Sequence, residues 1–399
     1  MKPLPPASSF SLQCLFWSLY VFLFSLPFEY WDPFGVANVF SVSKMAGLIF
    51  AVTFVLNYAR FRVTGKYAAD IFILFMLWFL AFVRCSSFMN GFDLTFLQCV
   101  VMFVMLANVF IVFPAVRKKS IFCLIAGVMT MVLLLCAGIG EEYVGDKGIN
   151  GRLTFFGTSS NMIGFWGALG CAVIFSFLFG PSVSWKAKMA GAAAFPFLFY
   201  AINESGSRGG FILVFLALAV TVLFLPGSFL RRGLVLAAGV GIGAVYFSTL
   251  SEDSVLYQRL MMFVDSQDMA YRDTIWGVAL DLWKQKPVWG VGADTYYDEI
   301  SQVLGEVMDT HNIFIWYLVT GGLVSLTLFL IFLWRQGRRL WRAKPRDVLA
   351  IIFMFMCLFM FMKAGGIKNQ KVIWLLMAYV ATCACKRPLP TTDGGEKPA

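Results

Sequence analysis

The run DLTFLQCVVMFVMLANVFIVF, residues 93–113, carries one charged side chain, Asp93, near its start. It is long enough to cross hydrocarbon, which takes about 20 apolar residues as a helix. Only a helix or a closed barrel satisfies every backbone N–H and C=O inside lipid. Working outward from it, similar apolar runs lie at roughly 10–27, 38–58, 68–86, 120–139, 160–180, 186–203, 209–226, 232–249, 312–334, 347–363 and 370–385. The composition agrees. Of the 399 residues 60% are hydrophobic and only 14% charged, against about 25% charged in soluble domains. The expected fold class is therefore all-α, a polytopic membrane protein with about twelve transmembrane helices, and a soluble fold is excluded.

An even number of spans puts both termini on one side. If that side is the cytoplasm, the inner loops hold most of the 32 Lys and Arg, including Arg60, Arg62 and Lys66, then Arg117, Lys118 and Lys119, and the run from Arg335 to Arg346. The outer loops hold acids instead, such as Glu29, Asp32, Glu141, Glu142 and Asp146. This is the usual enrichment of cytoplasmic loops in Lys and Arg. It also accounts for the net charge of +10 without a nucleic-acid partner; membrane lipids are the expected surroundings. The first apolar run, preceded only by Lys2, is read as a retained helix rather than a cleaved leader. The expected division is residues 1–249 with the first nine spans, an outer loop at 250–311, spans ten to twelve at 312–385, and a disordered cytoplasmic tail at 386–399.

The outer loop is the one sizeable segment outside the membrane. Two amphipathic helices are expected in it. One covers Ser251 to Val264, with Leu256, Leu260, Met261 and Val264 apolar. The other places Ile275, Ala279, Leu282 and Trp283 on one face, with Asp273 as N-cap and Pro287 as stop. Gly239, Gly241 and Gly243 lie inside a span and read as close helix packing. Gly290-Val291-Gly292 lacks the third glycine of a dinucleotide fingerprint. The nine cysteines sit in or beside apolar runs with no paired spacing, so they read as packing residues and not as a disulfide framework or metal site.

The chemistry-bearing residues gather at the outer ends of the spans. Arg152 precedes the sixth span, and Arg208 sits in the short seventh–eighth connection. Arg259 and Arg272 lie in the long loop. His311, the single histidine of the chain, opens the tenth span beside Asn312, and Lys363, Lys368 and Lys371 crowd the last outer loop. Arginine at a helix end near hydrocarbon is costly and needs a reason. Snorkelling, or pairing of Arg208 with Glu204, is the plainer explanation for each taken singly. Several together suit the bidentate binding of a phosphate or diphosphate, and a histidine titrates in the right range to accept a proton from a hydroxyl.

These residues sit in recognisable motifs. Tyr271-Arg272-Asp273-Thr274-Ile275-Trp276, Lys286-Pro287-Val288-Trp289-Gly290-Val291-Gly292 and His311-Asn312, followed by the run through Gly321-Gly322-Leu323, resemble the O-antigen ligase and O-antigen polymerase superfamily. Ser207-Arg208-Gly209-Gly210 is similar to that family's Ser-Arg-Gly hairpin. Gly151-Arg152-Leu153-Thr154 through Asn161 resembles its Gly-Arg-Leu…Asn segment, although Thr158-Ser159-Ser160-Asn161 lacks the usual Pro before the Asn. The resemblance covers roughly Asn150 to Val324.

The resemblance implies a bacterial inner-membrane glycosyltransferase with a periplasmic active site and no metal or nucleotide cofactor. Such an enzyme moves a glycan from undecaprenyl diphosphate to an acceptor. For a ligase of lipopolysaccharide biosynthesis the acceptor is the lipid A core; for a polymerase it is another carrier-linked glycan. Carried over, His311, Arg208 and Arg272 match the essential residues and Arg152 a further phosphate contact, while Arg259 in the long loop is a candidate for the same diphosphate. The ligase is the preferred expectation, and the polymerase follows. A transporter or flippase is the alternative of another class, disfavoured because the span centres carry almost no charge.

Overall fold

The computed structural model describes residues 9–35, 40–61, 65–83, 91–144, 151–179, 184–224, 228–266, 272–343, 347–363, 366 and 369–384. The expected tail at 386–399 and Lys368 lie outside the described residues. The chain is an all-α polytopic membrane protein. Its apolar helices are α1 (Ser9–Ser25), α2 (Val42–Leu56), α3 (Gly65–Val83), α4 (Gly91–Val112), α5 (Pro114–Cys136), α6 (Ser160–Leu178), α7 (Trp185–Glu204), α8 (Arg208–Phe224) and α9 (Phe229–Thr249). After the outer loop come α13 (Ile313–Arg342), α14 (Val348–Lys363) and α15 (Lys371–Thr382). Each expected apolar run is thus a helix. Six segments (Phe10–Phe28, Thr95–Val112, Pro114–Cys136, Ser160–Leu178, Phe229–Thr249 and Ile313–Arg342) are long and apolar enough to cross a membrane by length and composition, and five further apolar helices are shorter.

Polar side chains start several of these helices. Ser41, Ser184 and Ser228 accept from the backbone N–H of Lys44, Ala187 and Arg231, satisfying donors that the first turn leaves open. In the bundle, α6 packs between α7 and α8, α15 lies along α4, and α14 lies on α8. Trp374 of α15 is fully buried against Phe96 and Phe103 of α4 and Phe332 of α13. At the other extreme α9 buries no residue and rests on α8. Gly239 and Gly243 do bring it close, to Leu218 and Phe215, but Gly241 faces open space, so the packing expected of that triplet holds for two of the three.

Ion pairs join the ends of helices that the alternation puts on one side. Asp70, fully buried at the start of α3, holds Arg335 and Arg339, and Arg339 also stacks over Tyr67. Arg117 of α5 reaches Asp347 before α14 at 3.1 Å and lies over Tyr379 of α15. A buried carboxylate demands such partners, which explains a departure from the expected boundary. The tenth span was read as 312–334, yet α13 continues to Arg342 because its last turns carry the guanidinium groups that Asp70 needs.

The outer loop holds three helices where two were expected: α10 (Val255–Ser266), α11 (Arg272–Gln285) and α12 (Ala293–Leu304). The third buries Tyr296 and Ile300, one turn apart, and ends at Gly305 in the left-handed region. Asp273 lies in the first turn of α11 rather than capping it. The fifth–sixth connection, read as a loop, contains an antiparallel hairpin, β1 (Glu141–Val144) with β2 (Arg152–Phe155), in the register Val144↔Arg152 to Glu141↔Phe155.

The loop is bolted to α13 at a break in that helix. Gly322 has φ 65° and ψ −164°, and Gly290 has φ 69°. Val291 and Gly292 donate to Val319 O and Thr320 O at 2.8 and 3.1 Å, and Leu323 and Val324 donate to Pro287 O and Val288 O at 2.9 and 3.2 Å. The segment 287–292 thereby satisfies the groups that the break in α13 frees. A side chain at Gly322 would strike the Val288 carbonyl and the Trp289 N–H. Gly322→Ala is expected to cost more than the roughly 1–3 kcal/mol of backbone strain alone and to lower the melting midpoint of the detergent-solubilised protein. An unchanged midpoint would contradict this account of the break.

Candidate active site

Each expected site residue is placed by a local feature that the sequence dictates. Arg208 is the first residue of α8. Ser207 caps that helix, its Oγ accepting from Gly210 N at 3.1 Å, and Ser205 Oγ accepts from Ser207 N at 3.3 Å. Gly210 has no side chain, so α8 can lie against the backbone of Gly164 in α6. Arg259 of α10 lays its aliphatic stem beside Gly206, which has φ 57°.

Arg152 begins β2. Its Nη2 donates to Asn161 Oδ1 at 3.1 Å and its Nε to Ser205 O at 3.4 Å. The hairpin and the first turn of α6 therefore hold this guanidinium against the α7–α8 connection. Arg272, the first residue of α11, donates from Nη2 to Lys363 O at 3.0 Å, and its Nε is buried with no hydrogen-bond partner among the described residues.

His311 stands on a strained turn. Its φ is 53°; among the described residues Phe156 is the one other non-glycine with positive φ. Such a conformation costs about 1–3 kcal/mol and persists where its surroundings fix it. Asp309 Oδ1 accepts from His311 N at 3.1 Å, and its Oδ2 accepts from Gly366 N at 3.0 Å. Asn312 Oδ1 caps α13 by accepting from Phe314 N and Ile315 N. Trp276 of α11 donates to Thr310 O at 2.8 Å. The turn is thus clamped from α11, from α13 and from the last outer loop.

These elements bring the cations together. Arg152 feels the charges of Arg259 and Arg208, Arg272 feels that of Arg208, and the charge of Lys363 interacts with all four. His311 feels Arg272 and Lys363. Burial first, then its two arginine neighbours, lowers the Arg152 guanidinium to about 10. Burial and Arg208 lower that of Arg272. Burial is also the largest influence on His311 and pushes its imidazole below the usual value; Asp309 opposes this, and Arg272 and Lys363 add to it. Basic groups at the starts of α8 and α11 have the wrong sign for a helix N-terminus. Converging half-buried cations repel one another unless an anion sits among them. The arrangement is chemically suited to hold a phosphate-type anion next to a neutral imidazole.

Sequence reasoning did not single out Asp309, which carries no motif of its own and whose bond to Gly366 spans distant parts of the chain. It noted Lys363 only as one of several outer lysines, and the signal available was its position at the end of an apolar run.

Comparison with known proteins is consistent with this geometry. The family described as O-antigen ligase matches residues 193–330, a stretch that contains Arg208, Arg259, Arg272 and His311 and leaves out Arg152 and Lys363. No curated protein matches the chain. The family match supports an O-antigen ligase- or polymerase-type function.

Proposed function

From the match of residues 193–330 to the O-antigen ligase family, we propose an inverting, metal-independent glycosyltransferase of lipopolysaccharide biosynthesis. The donor is a glycan on undecaprenyl diphosphate and the acceptor is a hydroxyl of the lipid A core. The chain sits in the bacterial inner membrane with both termini cytoplasmic and the site at the periplasmic face. The observation that carries this reading is the convergence of Arg152, Arg208, Arg259 and Arg272 beside His311. A diphosphate at a membrane surface is an anion that such a set of forks fits.

Arg208 and Arg272 grip the diphosphate, with Arg152 and Arg259 behind them, and neutralise the charge that grows on it as it leaves. The His311 imidazole takes the proton of the acceptor hydroxyl. The oxygen attacks the anomeric carbon from the face opposite the diphosphate. The new C–O bond forms as the bond to the phosphate oxygen breaks, and undecaprenyl diphosphate departs. The strained turn holds the imidazole at one fixed place for this transfer. Product made with donor and acceptor in EDTA should carry the inverted anomeric configuration by NMR. A retained configuration would contradict direct displacement.

The electrostatics of His311 give a pH expectation. Its imidazole must be neutral to act as base, and burial together with Arg272 and Lys363 favours that form. The acidic limb of kcat/KM should therefore fall below the ordinary imidazole value of about 6.5. Asp309 raises the His311 value, so Asp309→Asn should move the limb to still lower pH. A limb above that of an ordinary imidazole, or one unmoved by the substitution, would remove His311 from the role of base.

A further inference from the structure

Lys363 is the last residue of α14, outside the stretch that the family match covers. A lysine at a helix C-terminus ordinarily complements its own helix dipole and extends its ammonium to water. This one does neither. Its side chain lies across Gly209, the second residue of α8, where any side chain would collide with its Cδ, Cε and Nζ. Nζ thus rests at the positive end of another helix, in the field of Arg272, Arg152, Arg208 and Arg259. Among the described residues it has no hydrogen bond or ion pair of its own. The backbone around it is held in place: Arg272 binds the Lys363 carbonyl, and Asp309 binds Gly366 N at 3.0 Å three residues on. Both Arg272 and Asp309 come from the outer loop.

An ammonium buried among these four guanidinium groups is costly, and an anion that joined them would offset that cost. We propose that Lys363 is a further substrate-binding residue of this site, donating to a phosphate oxygen of the donor's diphosphate alongside the arginines. The inference rests on the proposed transferase function and extends the site to the last outer loop. It also gives Gly209 a reason: any side chain there would displace the lysine.

The test is a donor titration on purified wild type, Lys363→Ala, Lys363→Arg and Lys284→Ala in liposomes. Inorganic pyrophosphate serves as a competing probe. Lys284 is an exposed control, paired with Asp281 on the outer surface of α11. Lys363→Ala should raise the donor KM about tenfold, equal to about 1.4 kcal/mol, and weaken pyrophosphate inhibition by a similar factor. Lys363→Arg should recover most of both, because the charge returns. A donor KM and pyrophosphate inhibition unchanged in Lys363→Ala, with Arg208→Ala impaired in the same assay, would overturn this inference and leave the transferase reading intact. Equal weakening in Lys363→Ala and Lys363→Arg would also overturn it, as loss of shape rather than of charge. No transfer by the wild type would count instead against the transferase reading itself.

Discussion

His311→Ala is expected to lower turnover by about 10²–10⁴-fold, the usual worth of a positioned general base, with the donor KM much less affected. The imidazole is the one titratable group of its kind in the chain. It sits on a positive-φ turn that Asp309, Trp276 and Asn312 hold through separate hydrogen bonds. Removing the side chain leaves those backbone bonds in place, so the melting midpoint should stay near that of the wild type. His311→Gln would keep the hydrogen-bonding capacity but not the basicity and should be nearly as slow as alanine. If His311→Gln retained wild-type turnover, the imidazole would be an orienting group at most. Steady-state rates across donor concentration separate these outcomes, because a group needed only in the transition state lowers kcat and kcat/KM together.

Arg208→Ala and Arg272→Ala are each expected to lower kcat/KM by about 10²–10³-fold, as seen when a donor to developing charge is removed. Arg272 carries a second burden. Its Nη2 also fixes the Lys363 carbonyl, so its loss should also loosen the last outer loop. Lysine should substitute poorly at either position, since a point charge cannot grip two oxygens with a planar fork. The double variant should fall short of the product of the two single effects, because both groups act on one anion. Full additivity, or a normal rate in either single variant, would separate the arginines from a shared diphosphate.

The parts of the structure legible in sequence are those written in local patterns. Apolar runs without charge announced the helices because lipid tolerates little else. His311, Arg208 and Arg272 stood out because each sits in a short motif whose neighbours have visible duties. Ser207 caps α8, Gly210 admits α6, Asn312 caps α13, and the Gly290–Gly292 segment hydrogen-bonds across the break at Gly322. The features that escaped depend on distant partners. The hairpin Glu141–Val144 with Arg152–Phe155 is too short for a clear alternation, and it exists because β2 must carry Arg152 to Asn161 and Ser205. The last turns of α13 looked like a basic loop because nothing near them in sequence reveals Asp70. Helix α12 hides its two buried residues among acidic neighbours. Asp309 and Lys363 acquire meaning only when the loop folds back on the end of α14.

The most direct test is reconstitution of the purified wild type and His311→Ala in liposomes containing undecaprenyl-diphosphate-linked glycan and lipid A core, with EDTA present. Glycan is expected on the lipid A core with the wild type and almost none with His311→Ala. Longer carrier-linked chains without modified core would contradict the ligase assignment and make the protein a polymerase. The same yield of modified core from both proteins would contradict the placement of His311 at the centre of the reaction.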